Sequence, residues 1–190
     1  MDTLRSSVVP EWMWNLSIVM TYVPVALGCV IWWGWRGAEA EIWLQIVGYF
    51  PLRDLLLGTA VGAGLAVGTR LFAARLAFGR RMVGALAALV GPLTLPTCTA
   101  VALASSVGEE FLFRGVIQPE LGLLWTSVLF AVVHVPVEAA LRPWPFFAFG
   151  MGLLLGGLYQ WTGSLPAPIA VHFTLNWLNL IWLSRLARQS

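Results

Sequence analysis

The sequence predicts an all-α fold, a polytopic transmembrane helix bundle with about six spans. Of its 190 residues, 59% are hydrophobic and 11% are charged, whereas a soluble domain carries roughly 25% charged residues. The mean hydropathy is +0.81, and apolar stretches recur at about the 20 residues that a helix needs to cross a bilayer. We therefore expect an integral membrane protein without a separate soluble domain. Basic residues are scattered and the sequence has no nucleic-acid motif, so we expect no nucleic-acid partner.

The candidate spans follow one another with short connections. Tryptophans mark both ends of the first span, as expected where a helix meets the two interfaces of a bilayer. The apolar segments 42–50 and 83–90 are too short to span, and we interpret the first as interfacial. The six predicted spans are residues 13–35, 54–72, 95–121, 123–137, 144–161 and 165–184.

The second predicted span contains four glycines with small-xxx-small spacing: Gly58, Gly62, Gly64 and Gly68. This spacing suits the close packing of two membrane helices. The alternative is that the glycines are only tolerated by surrounding lipid.

Five Asp, Glu, Arg or His side chains lie more than two residues inside the ends of the predicted spans. Such groups are costly at membrane depth and mark functional sites. Three short motifs contain them: EEFLFR at 109–114, FAVVH at 130–134 and HFTLN at 172–176. The five ionisable residues are Glu109, Glu110, Arg114, His134 and His172.

Residues four positions apart share a helix face, so each motif predicts one pair on a common face. The pairs are Glu110 with Arg114, Phe130 with His134, and His172 with Asn176. At 1.5 Å per residue, the four candidates for chemistry lie ~10–18 Å from one bilayer face. These four are Glu109, His134, His172 and Asn176. Their similar depth predicts an active site in the membrane.

These residue types can carry out acid–base chemistry. A carboxylate removed from water can act as a general base near neutral pH, and with His134 it could hold and deprotonate a water. His172 and Asn176 could donate hydrogen bonds to the oxyanion that forms when water attacks a carbonyl. Arg114 could keep one carboxylate ionised and in place. The reaction class is amide hydrolysis within the membrane.

Each motif also has a structural alternative. A single membrane histidine often only hydrogen-bonds between helices, and a Glu110–Arg114 pair is more often structural than catalytic. Asn176 could be a packing amide, and Ser105 is expected to bond back to its own helix. A serine–histidine pair is a further alternative, but the sequence has no Gly-x-Ser-x-Gly elbow.

In order and spacing, the three motifs resemble the CAAX protease and bacteriocin-processing family of intramembrane endopeptidases, also called CPBP or Abi. That family has the pattern Glu-Glu-x-x-x-Arg, then Phe-x-x-x-His, then a His-x-x-x-Asn type of ending on a later helix. The flanking sequences GEEFLFRG and GSLPAPIAVH are also typical. The resemblance covers about residues 92–183. It divides the chain into N-terminal transmembrane and interfacial helices, 1–91, and a catalytic helix core, 92–190.

The resemblance implies a role for each candidate. Glu109 would be the general base, paired with His134 to activate water, and His172 and Asn176 would form the oxyanion hole. The supporting residues would be Glu110 and Arg114, which orient and tune the base, and Phe130 of the second motif.

The resemblance also implies a glutamate-type protease, for which we expect no cofactor. The sequence has no HExxH zinc motif. A zinc-dependent mechanism stays open as the less favoured alternative, because one glutamate and two histidines can bind zinc.

The expected partners are the lipid bilayer and a membrane-embedded or lipid-anchored protein substrate. The substrate would be cut near its C-terminus, and would be either prenylated or equipped with a sorting signal. We expect a multi-pass protein of a bacterial inner membrane with cytoplasmic termini, from the positive-inside rule. Two alternatives are a non-enzymatic bacteriocin-immunity or membrane-binding protein and a small proton-coupled transporter.

Overall fold

The structure is a computed structural model that describes residues 11–37, 44, 46–136 and 138–189. Within these ranges the chain is helical and contains no β-strand, which confirms the all-α prediction. The seven α-helices are α1 (Glu11–Arg36), α2 (Pro51–Arg75), α3 (Ala77–Val90), α4 (Leu95–Glu110), α5 (Gln118–Val133), α6 (Trp144–Thr162) and α7 (Pro166–Ala187). A π-helix, Phe111–Ile117, joins α4 to α5, and a short 3₁₀-helix, Ala139–Leu141, precedes α6.

Among the described residues, three helical stretches are long and apolar enough to cross a membrane: Trp12–Arg36, Pro51–Arg75 and Leu95–Val133. The last has 39 residues, and an unbroken helix of that length would measure ~59 Å, about twice the hydrocarbon thickness of a bilayer. Gly122 interrupts it with φ 74° and ψ 169°, at the boundary between the predicted third and fourth spans. The six-span count stays a prediction.

The α3 helix extends beyond what the sequence suggested. The apolar run singled out in the sequence covers residues 83–90, yet the helix begins at Ala77 and includes Arg80 and Arg81. Its buried face contains Met82, Val83, Ala87 and Val90, so arginines and apolar side chains occupy different faces of one amphipathic helix. Of the segment 42–50, predicted as interfacial, residues 42, 43 and 45 lie outside the described residues.

The α7 helix is the centre of the bundle and packs against α2, α3, α4 and α6. Two glycines allow α2 to approach it closely. A Cβ atom at Gly62 would lie 2.6 Å from the backbone oxygen of Val171, and one at Gly58 would overlap the backbone oxygen of Ala167. The close-packing interpretation is therefore confirmed for Gly58 and Gly62. At Gly64 and Gly68 a Cβ would meet no described atom within 4 Å.

A buried carboxylate anchors the beginning of α2 to the turn between α6 and α7. Asp54 is fully buried, and its Oδ2 accepts a hydrogen bond of 2.9 Å from Ser164 Oγ. Its Oδ1 accepts from two nitrogens of Arg53 at 2.9 and 2.7 Å. This cluster holds α2 against the start of α7, which carries two of the predicted site residues.

Candidate active site

The first half of the site, which we call the outer pair, consists of Glu109 and His134. Glu109 lies at the end of α4, and His134 directly follows α5. Glu109 Oε2 lies 3.6 Å from His134 Nε2, and the two side chains are 20% and 26% exposed. The other carboxylate oxygen, Oε1, accepts a hydrogen bond of 3.1 Å from the hydroxyl of Tyr22 on α1. Glu109 Oε2 is buried and has no hydrogen-bond partner among the described residues.

The contacts of His134 determine which ring nitrogen carries a proton. Its Nδ1 lies 2.7 Å from the backbone oxygen of Phe130. Because a carbonyl oxygen only accepts, Nδ1 must be the donor, and in the neutral ring Nε2 is then an acceptor. Glu109 Oε2 and His134 Nε2 are therefore two acceptors facing each other, which a donor such as water can join.

The second half of the site, which we call the inner cluster, consists of Glu110, Arg114 and His172. Arg114 Nε lies 3.0 Å from Glu110 Oε2, and both side chains are 0% exposed. Arg114 also donates to Glu110 Oε1 at 3.3 Å and to the backbone oxygen of Gly152 at 3.3 Å. His172 Nδ1 lies 2.8 Å from Glu110 Oε1. Glu110 thus holds two basic groups inside the bundle.

Helix geometry explains why adjacent glutamates belong to different halves. Successive residues of an α-helix point about 100° apart, so Glu109 and Glu110 face different neighbours. The α-helix ends at Glu110, and the next seven residues form the π-helix. Such π-helical segments are rare and frequent at functional sites. The sequence predicted the Glu110–Arg114 pair but not the π-helix, for which we find no signal in the residues.

Phe130 lies between the outer pair and the inner cluster. Its ring is 4.4 Å from the ring of His134 and 6.4 Å from that of His172, measured between centroids. The Arg114 guanidinium lies 4.9 Å from the centre of the Phe130 ring. This buried ring therefore separates the two histidines.

The fourth predicted residue, Asn176, lies apart from both halves. Its Nδ2 donates to Ser105 Oγ at 3.2 Å, and Ser105 in turn bonds back to the backbone oxygen of Ala102 on its own helix. Among the described residues, no hydrogen bond links Asn176 to Glu109 or His134. Ser105 is one turn before Glu109 on α4, as Asn176 is one turn after His172 on α7.

A large apolar cavity begins beside Asn176. Its volume is about 700 Å³, and residues of α2, α3, α4, α6 and α7 line it. Ser105 and Asn176 are among the few polar groups in a lining that is mainly leucine, valine, methionine and aromatic side chains. The cavity is therefore suited to an apolar chain that ends near hydrogen-bonding groups.

The two histidines turn to different glutamates. His134 faces Glu109 and His172 faces Glu110, so the set of one glutamate and two histidines considered for zinc is not gathered around one point. In the described part of the chain, no group of three or more His, Cys, Asp or Glu is placed to hold a metal ion. The cofactor prediction itself stays a prediction.

The sequence did not indicate that Tyr22 belongs to the site. It lies on α1, 87 residues before Glu109, and nothing in its neighbourhood in the sequence indicates the contact. Ser105 carried a signal, since its spacing of four from Glu109 places both on one helix face. We expected only its bond to its own helix, which is present, and not its second role as the acceptor for Asn176.

These features describe an α-helical membrane protein with paired carboxylate and imidazole groups. A family model described as type II CAAX prenyl endopeptidase Rce1-like matches residues 91–178, a segment that contains all three motifs. The predicted family resemblance is therefore confirmed over this segment, and the family that it matches is a protease family.

The uncharacterized protein YpbD of Bacillus subtilis (strain 168) is similar to this chain, with 35% identity over 85 residues. The match spans 44% of this chain and 43% of that relative, which is less than half of either. No solved structure matches the chain.

Proposed function

We propose that this protein is an intramembrane endopeptidase that cuts a membrane-anchored protein substrate near its C-terminus. The observation that carries the proposal is the outer pair. Two acceptors, Glu109 Oε2 and His134 Nε2, face each other at 3.6 Å inside the segment that matches a protease family. A water molecule that donates to both would be held and polarised for attack.

In the proposed reaction, the outer pair takes a proton from water while the water oxygen attacks the carbonyl carbon of the scissile amide. The carbonyl oxygen becomes negatively charged. The C–N bond then breaks, and the proton held by the outer pair passes to the leaving amine. The products are one carboxylic acid and one amine, which exchange a proton to become a carboxylate and an ammonium group, and the protein returns to its starting state.

The oxyanion would be stabilised from α7, where His172 and Asn176 share a face. Because Nδ1 of His172 faces Glu110 at 2.8 Å, only its Nε2 is available to the oxyanion. That nitrogen donates when the ring carries two protons, with Glu110 as the counter-charge. Asn176 has a second amide hydrogen besides the one that it donates to Ser105. Such donors typically contribute on the order of 10²–10³-fold to kcat.

The apolar cavity provides a place for the substrate. Its lining includes Asn176 and Ser105, so an apolar chain lying in it would present its polar end near the proposed oxyanion donors. Membrane-embedded and lipid-anchored substrates both have such a chain. We keep both classes in the proposal, and the test below separates them.

The test uses purified protein in liposomes with two reporters. One reporter carries a C-terminal prenylated CAAX peptide, and the other carries a C-terminal apolar helix. The Glu109→Gln and His134→Ala variants should each lose on the order of 10²–10⁴-fold in cleavage rate. The control variant, Glu138→Gln, changes an exposed glutamate beside the 3₁₀-helix and should cleave like the wild type.

Each outcome has a clear meaning. Cleavage of only one reporter by the wild type identifies the substrate class. Undiminished product from both site variants would place the chemistry elsewhere and overturn the assignment. Proton flux into the liposomes that depends on Glu109, without cleavage of either reporter, would favour the transporter instead.

A further inference from the structure

One feature of the outer pair comes from outside the segment that matches the family. Tyr22 lies on α1, and its hydroxyl donates to Glu109 Oε1 at 3.1 Å. We propose that Tyr22 is a positioning residue for Glu109, and that its hydroxyl holds Oε1 so that Oε2 faces His134. The inference rests on the proposed function for its effect on catalysis, although the contact itself does not.

The first argument is that the two carboxylate oxygens of Glu109 have different surroundings. Oε1 has a partner from α1, whereas Oε2 is buried, lies 3.6 Å from His134 Nε2 and has no hydrogen-bond partner in the described part of the chain. A carboxylate on a flexible glutamate side chain can rotate and exchange its oxygens. A donor fixed to one oxygen removes this freedom, and the other oxygen then keeps a constant direction.

The second argument is the close packing of the Tyr22 ring on the main chain of α4. The residue before Glu109 is Gly108, and a Cβ atom there would overlap Cδ1 of Tyr22. The ring therefore lies directly against the backbone of α4, at a place where any other residue would displace it. From this position the hydroxyl reaches Glu109, so the packing of the ring and the hydrogen bond both hold Tyr22 in the same place.

A second contact of the same kind keeps α1 in place. Trp33 is buried, and its indole nitrogen donates to the backbone oxygen of Gly115 at 3.3 Å. A Cβ atom at Gly115 would lie 2.9 Å from Cζ2 of Trp33. Two aromatic residues of α1 thus fit against two glycines of the α4 and π-helical segment. This double contact makes α1 a part of the site rather than only a lipid-facing span.

The test compares Tyr22→Phe with the wild type in the liposome assay. Phenylalanine keeps the ring on Gly108 and removes only the hydroxyl. Losing a hydrogen bond to a charged group should lower kcat by about 10–100-fold. KM should stay within about twofold, because the proposed role of Tyr22 is to orient Glu109 and not to bind substrate. Tyr159→Phe removes a phenol hydroxyl from α6 and serves as the matched control, with activity like the wild type.

A double variant separates positioning from a general structural role. If Tyr22 acts through Glu109, adding Tyr22→Phe to Glu109→Gln should lower the remaining activity by less than about twofold, since the two residues work as one unit. Two full and multiplicative losses would overturn the proposal. Gly108→Ala should reproduce the loss of kcat of Tyr22→Phe, because the added methyl group displaces the ring.

Infrared spectroscopy tests the contact independently of any activity. The carboxyl band of Glu109 is identified by its disappearance in Glu109→Gln, and it should shift in Tyr22→Phe but not in Tyr159→Phe. An unshifted band in Tyr22→Phe would overturn the proposal. A shifted band together with no cleavage of either reporter by the wild type would contradict the proposed function and leave the role of Tyr22 in orienting Glu109 intact.

Discussion

Glu109 and Glu110 are adjacent on one helix, yet their surroundings are opposite. Glu110 is 0% exposed and faces two basic groups, Arg114 and His172. Glu109 is 20% exposed, faces one imidazole at 3.6 Å and leaves one oxygen without a hydrogen bond in the described structure. Glu110 Oε2 also lacks a partner with hydrogen-bond geometry in the described structure, but it lies 3.0 Å from the Arg114 guanidinium, which holds that carboxylate in place. Glu109 Oε2 lies instead beside an imidazole nitrogen, with which it would share a water in the proposed function. In our proposal the outer pair reacts with water, while Glu110, paired with Arg114, holds His172 in place.

The most direct test of this difference between the two glutamates is to neutralise each of them in turn. Glu109→Gln should reduce kcat on the order of 10²–10⁴-fold, and should change the free energy of unfolding by only about 1 kcal/mol. Glu110→Gln should instead lower the free energy of unfolding by about 3–5 kcal/mol, because Arg114 loses its buried counter-charge. Unfolding in mixed micelles and cleavage in liposomes measure the two effects. Equal destabilisation by both variants would remove the distinction.

A second test separates the inner cluster from an ordinary surface ion pair. Arg114→Gln leaves Glu110 buried without its guanidinium partner and should destabilise the protein by about 3–5 kcal/mol. The matched control is Arg36→Gln. Arg36 pairs with Glu120 at 3.1 Å, but the side chains are 53% and 40% exposed, so its loss should change the free energy of unfolding by at most about 1 kcal/mol. Similar values for both variants would contradict the structural role of the inner cluster.

A third test asks how closely α7 packs against α2 beside the inner cluster. Gly62→Ala adds a methyl group 2.6 Å from the backbone oxygen of Val171, next to His172, and should lower the free energy of unfolding by about 1–3 kcal/mol. Gly64→Ala meets no described atom within 4 Å, and should be neutral or stabilising by up to about 1 kcal/mol. The same thermal unfolding measurement on both variants checks this. If Gly62→Ala is also neutral, the two helices are not held as closely as the structure has them.

Local patterns account for what the sequence predicted well. The spacing of four within EEFLFR brings Glu110 to Arg114 on its own helix, and the break at Gly122 follows from a residue that adopts positive φ. Only the second half of the amphipathic α3 was predicted, because Arg80 and Arg81 interrupt the apolar residues of its first turns.

What the sequence could not predict depends on contacts between distant segments. Two adjacent glutamates look alike in a motif, and only the neighbouring helices decide that one faces His134 and the other His172. Tyr22 lies 87 residues from its partner, and spacing rules apply only within one helix. The resemblance implies that Glu109 is the base, and what supports this proposal physically is its unpaired oxygen 3.6 Å from His134 Nε2.

The smallest expected effect concerns Ser105, which links α4 to α7 below the outer pair. Ser105→Ala removes the acceptor that holds the Asn176 amide at 3.2 Å, but leaves the amide itself in place. One such neutral hydrogen bond contributes about 1 kcal/mol, so kcat should fall about fivefold with little change in stability. Ser106→Ala is the matched control, because in the described part of the chain its hydroxyl bonds to the backbone oxygen of Leu103 alone. A fall in kcat as large as that of Asn176→Ala would mean that Ser105 itself contacts the substrate, and no fall at all would mean that Asn176 needs no support to act as an oxyanion donor.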